Sequence, residues 1–186
     1  MGLPIGINQL LNGKVVEWER IDFKKGWNPE DVVHSICAFA NDMPNSKKKG
    51  YLLIGVNDDG SRCGLKVTDE LLLKLSAIRT DGNILPLPVM SVDFISFEDG
   101  DVIVVEVVPS ILPPVRYRGR TYIRISARKD IATREEEDIL VERRSANFPT
   151  FDTTPCPEAT LDDIDTELIT RTYLSRAINP EVLAQD

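Results

Sequence analysis

Residues 28–42, NPEDVVHSICAFAND, and residues 50–60, GYLLIGVNDDG, are the stretches that decide the fold. The first opens with Asn28 and Pro29, a helix-capping residue followed by one that favours the first helical turn. Apolar residues then recur at helical spacing and predict an amphipathic helix over about 29–41. In the second, the apolar run 51–56 precedes a turn at 57–60, which predicts a strand buried on both faces.

The same patterns extend outward along the chain. Residues 14–24 mix apolar and charged side chains and predict one or two short extended segments. Leucine spacing predicts a second helix over about 69–79, and the turn sequence at 98–101 predicts a hairpin of strands 89–97 and 102–108. Residues 121–126 predict a half-exposed strand, and the capping box that begins at Thr133 predicts a helix to about Arg144.

This alternation of short helices and strands predicts an α/β or α+β fold, with a mixed sheet that contains an antiparallel hairpin and is packed by helices. Residues 147–160 are proline-rich and predict a linker between a domain over 1–146 and a C-terminal segment, 161–186. In that segment a helix over about 161–176 has one apolar face. We expect this face to dock on the domain, on a partner chain or on a region downstream.

Composition narrows the class of protein. The chain has 186 residues, 42% of them hydrophobic and 28% charged, which is typical of a globular domain. No apolar window is long enough to span a membrane, and the N-terminus lacks the pattern of a secretory signal. Three cysteines (Cys37, Cys63 and Cys156) fit neither a disulfide framework nor a zinc site, so we expect a cytoplasmic protein.

Charge is distributed unevenly along the chain. The formal net charge is −8, but residues 135–186 hold 13 acidic and 4 basic residues. Residues 110–134 hold seven basic residues against one acidic residue. The overall acidity therefore does not exclude a basic surface that binds nucleic acid.

Residues 116–129, RYRGRTYIRISARK, are the strongest candidate for such a surface, and we call them the arginine segment. Arginines at two-residue intervals on an extended chain would project to one side, with tyrosines between them, which suits a phosphate backbone. The alternative is an edge hairpin whose charges discourage aggregation. Together with the lysine run at 47–49, the candidate nucleic-acid-binding residues are Lys47, Lys48, Lys49, Arg116, Tyr117, Arg118, Arg120, Tyr122, Arg124, Arg128 and Lys129.

Carboxylates form a second candidate site. Glu17, Glu19 and Asp22, together with Asp58 and Asp59 after the buried strand, could converge and hold Mg²⁺ or Mn²⁺, since hard cations prefer oxygen ligands. The alternative is that these acids are solvated strand and turn residues.

Other familiar sites find no support in the sequence. His34 is the only histidine, and we interpret it as a structural residue of the first helix. Cys37 lies on the apolar face of that helix and fits the core better than a nucleophilic role. No motif for P-loop nucleotide hydrolysis, dinucleotide binding, zinc proteolysis or serine hydrolysis is present.

The ordered set VEWERIDFKKGWNPEDVVHSICAFAND, KGYLLIGVNDDG and PPVRYRGRTYIRISARKDIATREEEDILVERR resembles the Schlafen AlbA-type domain over about 10–145. That resemblance implies a cytoplasmic nucleic-acid-binding module of the kind that heads bacterial transcriptional regulators and RecG-like, divergent AAA proteins. ATP chemistry would then belong to a region downstream. No cofactor is expected for the binding module itself.

The animal branch of the same family includes metal-dependent RNases that use three carboxylates. Glu17 and Asp22 match the first two positions, with Asp22 in place of a glutamate, and the third would be Asn57 or Asp58. The resemblance therefore implies a catalytic set of Glu17, Asp22 and Asp58, with Mg²⁺ or Mn²⁺, if the chain is a nuclease.

Three hypotheses follow. The leading one is a sequence-tolerant DNA- or RNA-binding domain of a transcriptional regulator that uses the arginine segment and the lysine run. The second is a metal-dependent endoribonuclease. The third is an oligomerisation module in which helix 161–176 assembles copies of the chain.

Overall fold

Residues 19–147 and 156–174 are described by the computed structural model of the chain. The chain divides into two compact units, residues 1–148 and 149–186. In the first unit, four strands form a mixed sheet and four more form an antiparallel sheet, and one helix packs against strands of both. The elements of this unit are β1 (Ile21–Lys24), α1 (Pro29–Asn41), β2 (Gly50–Ile54), α2 (Asp69–Ala77), β3 (Ile84–Leu85), β4 (Val89–Phe97), β5 (Gly100–Val108), β6 (Arg116–Tyr117), β7 (Arg120–Ile125), β8 (Arg128–Ile131) and α3 (Arg134–Asn147).

Helix α1 begins and ends as its sequence predicts. The Asn28 side chain accepts a hydrogen bond from the Asp31 amide, and Pro29 occupies the first turn. At the other end Asp42 takes a left-handed conformation, and its amide bonds the Ala38 carbonyl. The prediction of a helix over 29–41 is confirmed.

The mixed sheet has the strand order β1-β2-β5-β4. β1 runs parallel to β2, with Asp22 beside Leu52, while β5 runs antiparallel to both of its neighbours, β2 and β4. All five residues of β2 are buried, as its continuous apolar run predicts. The β4–β5 hairpin confirms the antiparallel pair predicted for 89–108.

The antiparallel sheet has the order β3-β6-β7-β8 and contains the arginine segment. β7 differs from the sequence prediction, because four consecutive residues, 121–124, are buried. The prediction of a half-exposed strand is therefore wrong. Tyr122 packs with α1 on one face, and Thr121 donates a hydrogen bond to Glu137 of α3 on the other.

The larger apolar core lies around α1. It joins the inner side chains of α1 to those of β2 and β5 and to the antiparallel sheet, where Tyr117 and Tyr122 belong to it. Alternate residues of β2 and β5, such as Leu53, form a second cluster together with Ile21 and Phe23 of β1. The core therefore holds the arginine segment firmly against α1.

The second unit is helical over Leu161–Asp163 and Thr166–Leu174, but it changes helix type along its length. The helix predicted over 161–176 is thus interrupted, and its last two residues lie outside the described part, as does most of the predicted linker. Within residues 19–147 and 156–174, no helix is both long and apolar enough to cross a bilayer.

Candidate nucleic-acid interface

A tight turn at Arg118 and Gly119 organises the arginine segment. Both residues have positive φ, +49° and +76°, as two-residue hairpin turns of type I′ require. The turn pairs Arg116 with Thr121 and Tyr117 with Arg120 across β6 and β7. Gly119 is needed here because a left-handed conformation carries no steric penalty for glycine.

This turn divides the arginines between the two faces of the hairpin. Residues directly opposite each other share a face, so Arg120 lies on the same side as Tyr117, and Tyr122 and Arg124 follow at alternate positions. Arg116 lies on the other side with Thr121, where both contact Glu137 of α3. The prediction that all the arginines project to one side is wrong for this reason.

A pocket of about 400 Å³ opens where the hairpin meets the first turns of α1, and we call it the hairpin pocket. Its aromatic side chains contact one another. The His34 ring stacks on Tyr122, with centroids 3.9 Å apart and planes at 14°, and meets Tyr117 edge-on at 5.7 Å. The residues that line the pocket are Glu30, His34, Tyr117, Arg118, Arg120 and Tyr122.

The two arginines of the pocket are accessible. The Arg118 side chain is 60% exposed, lies over the Tyr117 ring and pairs with Glu30, which is itself 63% exposed, at 3.0 Å. An exposed pair of this kind contributes little to stability, because water screens it. Arg120 is exposed as well. A phosphate could therefore bind either guanidinium without breaking a buried interaction.

Arg124, in contrast, belongs to a buried ionic cluster that joins β1, α1, β7 and β8. Its side chain is only 3% exposed and donates to Asp22 at 3.1 Å and to the Ile21 carbonyl. Lys24 bridges Asp22 and Asp31, at 3.1 Å and 2.9 Å. The members of this buried ionic cluster are Asp22, Lys24, Asp31, Ser35, Arg124 and Lys129.

The charges of this cluster shift the pKa values of their neighbours. Burial alone would raise the pKa of Asp22, but the hydrogen bond from Ser35 and the charges of Lys24 and Arg124 outweigh it, so the pKa is lowered. Burial lowers the pKa of Lys129, although Asp31 and Ser35 are its hydrogen-bond partners. Arg124 and Lys129 therefore hold strands and helix together and do not face a ligand on the surface.

The remaining cations of the arginine segment lie away from the pocket. Arg128 is 84% exposed and pairs with Asp130 at 2.9 Å. Arg116 is 40% exposed and pairs with Glu137 at 3.4 Å.

The lysine run is exposed, but at the opposite end of α1 from the pocket. The Lys47 amide donates a hydrogen bond to the side chain of Asp42, which caps the C-terminus of α1. Arg118 contacts Glu30, which lies in the first turn of α1. The two ends are about 18 Å apart along the helix. Lys49 pairs with Glu106 at 2.7 Å, and Lys48 is exposed. The run therefore belongs to a separate patch of the surface.

The carboxylates do not fit a divalent cation where the structure describes them. Both oxygens of Asp22 contact cationic side chains or the Ser35 hydroxyl, and a further positive ion there would be repelled by Lys24 and Arg124. Asp58 is 83% exposed beside Lys25. In the described part of the chain, no group of three His, Cys, Asp or Glu side chains is placed to hold a metal. Glu17 lies outside the described residues, so the three-carboxylate set stays a prediction.

Two pocket residues were missed as candidates by the sequence interpretation. His34 was assigned a structural role, and Glu30 no role, although their spacing of four residues places them on one face of α1. The burial of His34 and the nearby charge of Lys129 lower its pKa, so the imidazole is neutral at pH 7. The i, i+4 spacing was the available signal, but only the hairpin shows what the two residues face.

The family model described as Schlafen, AlbA_2 matches residues 17–133, more than half of the chain. The chain belongs to this family. The match spans β1, α1, the β4–β5 hairpin, the arginine segment and the buried ionic cluster, so these are parts of a Schlafen AlbA domain. No curated protein matches the chain.

Two solved structures are similar to this Schlafen AlbA domain. One is the DIP2311 protein of Corynebacterium diphtheriae, with a TM-score of 0.47 and 19% identity, over 82% of this chain and 32% of that protein. The other is the N-terminal domain of a Nitrosomonas europaea protein described as related to the ATP-dependent DNA helicase RecG. Its TM-score is 0.37, at 25% identity over 52% of this chain and 66% of that one. The chain thus spans about a third of the first protein.

Proposed function

We propose that the Schlafen AlbA domain of this chain binds nucleic acid through the end of the β6–β7 hairpin, and that it does so as part of a transcriptional regulator. The observation that supports binding is the position of Arg118 and Arg120. Both are exposed, and both lie beside an aromatic pocket at the turn of a hairpin whose Tyr117 and Tyr122 belong to the core.

The electrostatics of these residues suit a phosphate backbone. Arg118 already binds a carboxylate, Glu30, in an exposed pair. A phosphate can take the place of that carboxylate at small cost, because exposed pairs contribute between zero and about 1 kcal/mol. Backbone contacts of this type position a protein on nucleic acid without reading sequence, so binding should tolerate any sequence. Arg128 is exposed too, but it lies opposite Ile125 on the other face of the sheet and is not part of this surface.

The test is the salt dependence of binding. We expect the double variant Arg118→Ala/Arg120→Ala to bind labelled DNA and RNA oligonucleotides more weakly than the native chain. The slope of log affinity against log salt should fall by about 1–2, because each phosphate contact contributes about 0.7–0.9. Fluorescence anisotropy at several salt concentrations measures both quantities.

The matched control removes the same charge elsewhere. Lys74 and Arg79 are exposed cations at the end of α2 and just beyond it, outside the interface. The variant Lys74→Ala/Arg79→Ala should leave the salt slope within experimental error of the native value. Equal slopes for the native chain and the Arg118/Arg120 variant would refute the proposal.

Assembly of copies of the chain through the segment 161–176 is a further proposal. Ile164, Leu168 and Ile169 expose 45%, 54% and 38% of their surface within six residues of the chain, and exposed apolar patches mark interaction sites. Light scattering on the full chain and on a version that ends at residue 147 tests this. We expect the measured mass of the full chain to exceed the mass of one monomer. An oligomeric state that is unchanged after truncation would refute the proposal.

A further inference from the structure

The hairpin pocket contains side chains that a phosphate site does not require. Two guanidiniums at a surface are sufficient for a backbone contact, yet here they lie next to three aromatic rings and a carboxylate. The volume of about 400 Å³ lies within the range of about 300–1,000 Å³ that is usual for small-molecule sites. The pocket is therefore large enough to admit a group beyond the phosphate.

The charge of the pocket also disfavours a phosphate alone. Glu30 pairs with Arg118 and offsets one of the two positive charges. A multiply charged anion gains most from a site with several uncompensated cations, whereas a group with one charge and a flat neutral part suits this mixed lining better. A single nucleotide within a strand is such a group, because it has one phosphodiester charge and one aromatic base.

The aromatic residues of the pocket are held in place. Tyr117 and Tyr122 are 6% and 8% exposed and belong to the core, and the half-buried His34 stacks on Tyr122. Their positions are therefore set before any ligand arrives, which lowers the entropic cost of binding. Of the three, His34 is the ring that can be replaced with the least disturbance of the core.

From these observations, and building on the proposed function, we infer that the hairpin pocket receives one unpaired nucleotide, with its base against the wall formed by His34 and its phosphate on Arg118 and Arg120. The domain would then select single-stranded nucleic acid over continuous duplex. In a duplex the bases are paired and stacked inside, so that only phosphates would reach the pocket. Single strands offer both parts, and proteins that bind them combine a basic groove with aromatic side chains.

The experiment compares two forms of one sequence. A short fluorescein-labelled single-stranded DNA and the same DNA as a blunt duplex are titrated with the full chain. We expect the single strand to bind at least tenfold more tightly. A 2-aminopurine placed in the single strand should change its fluorescence on binding, because its base moves from the strand's own stack to the protein.

Variants at His34 separate the pocket from the surface charges. His34→Ala should weaken single-strand binding about tenfold, since a stacked base contributes about 1–3 kcal/mol, and should weaken duplex binding much less, so that the ratio of the two affinities falls. His34→Phe keeps a ring and should retain most of the single-strand preference. Circular dichroism confirms that both variants are folded.

The outcomes distinguish this inference from the proposed function. Equal affinity for single strand and duplex, or an equal loss for both forms in His34→Ala, would overturn the pocket inference. The proposed function would survive that result if Arg118→Ala/Arg120→Ala still lowers the salt slope. If neither form of DNA nor the matching RNA binds, both are refuted.

Discussion

Arg118 and Arg124 lie six residues apart in the same segment, yet one faces solvent and the other is part of the interior. The Arg118 side chain is 60% exposed and its partner Glu30 is 63% exposed. The Arg124 side chain and its partner Asp22 are each 3% exposed. Both arginines pair with a carboxylate at about 3 Å, so the contact itself does not distinguish them.

The difference shows that a dense run of arginines does not by itself define a binding surface. At the turn, positive φ at two residues leaves Arg118 beyond the end of both strands. Near the end of β7, where the strand lies against α1, Arg124 reaches Asp22 on β1. A phosphate can compete for the first arginine, because its pair is screened by water, but not for the second.

The largest expected effect comes from breaking the buried pair. Asp22→Asn keeps the shape of the side chain but leaves the positive charges of Arg124 and Lys24 without their main partner. We expect the free energy of unfolding to fall by about 3–5 kcal/mol, as is usual when one member of a buried ion pair is removed. Urea unfolding followed by circular dichroism measures this change.

The exposed pair provides the control for that experiment. Glu30→Gln breaks the contact with Arg118, and we expect the stability to change by less than about 1 kcal/mol. If Asp22 were instead one of several carboxylates around a metal, Asp22→Asn would relieve repulsion and leave the metal-free chain as stable as before. Such a result would contradict the structural role of Asp22 and favour the nuclease hypothesis.

A smaller loss of stability is expected when the pH is lowered. The hydrogen bond from Ser35 and the nearby cations lower the pKa of Asp22 below its ordinary value of 3.8, despite its burial. The unfolded chain therefore takes up a proton at a higher pH than the folded chain does. The stabilisation is present above about pH 3.8 and is lost as the pH falls from there through the lower folded-state pKa.

The measurement is the free energy of unfolding between pH 5 and pH 3 for the native chain and for Asp22→Asn. We expect the native chain to lose stability more steeply as the pH falls, because the variant has no carboxyl group at this position. Parallel pH profiles for the two proteins would show that the charge of Asp22 does not stabilise the fold. The conclusion that the buried pair stabilises the fold more than the exposed pair does would then be wrong.

Local patterns predicted much of the fold. The cap and spacing of α1, the apolar run of β2 and the turn between β4 and β5 act over a few neighbouring residues, and the structure confirms each of them. The family resemblance is likewise confirmed, by the match over residues 17–133. The half-exposed strand was wrong because β7 packs against α1, which lies far away in the chain. The one-sided arginines were wrong because the turn at Arg118 and Gly119 divides them between two faces.

The candidate site was less predictable for the same reason. The sequence pointed to the arginine segment, but the pocket also needs Glu30 and His34, which precede that segment by more than 80 residues. Their relation to Arg118 and Tyr122 exists only after α1 packs against β7. The i, i+4 spacing places Glu30 and His34 on one face of α1, but it does not show what that face meets.

The amino-acid order alone thus determined where helices and strands form, since hydrogen-bonding caps, turn residues and apolar spacing act between near neighbours. Only the packed chain decided which charges are internal and which are available to a ligand. The cost of burying a charge depends on whether an opposite charge from another element arrives beside it. For Arg124 that partner is Asp22, supplied by a strand about a hundred residues earlier, and for Arg120 the space beside the guanidinium stays open to solvent.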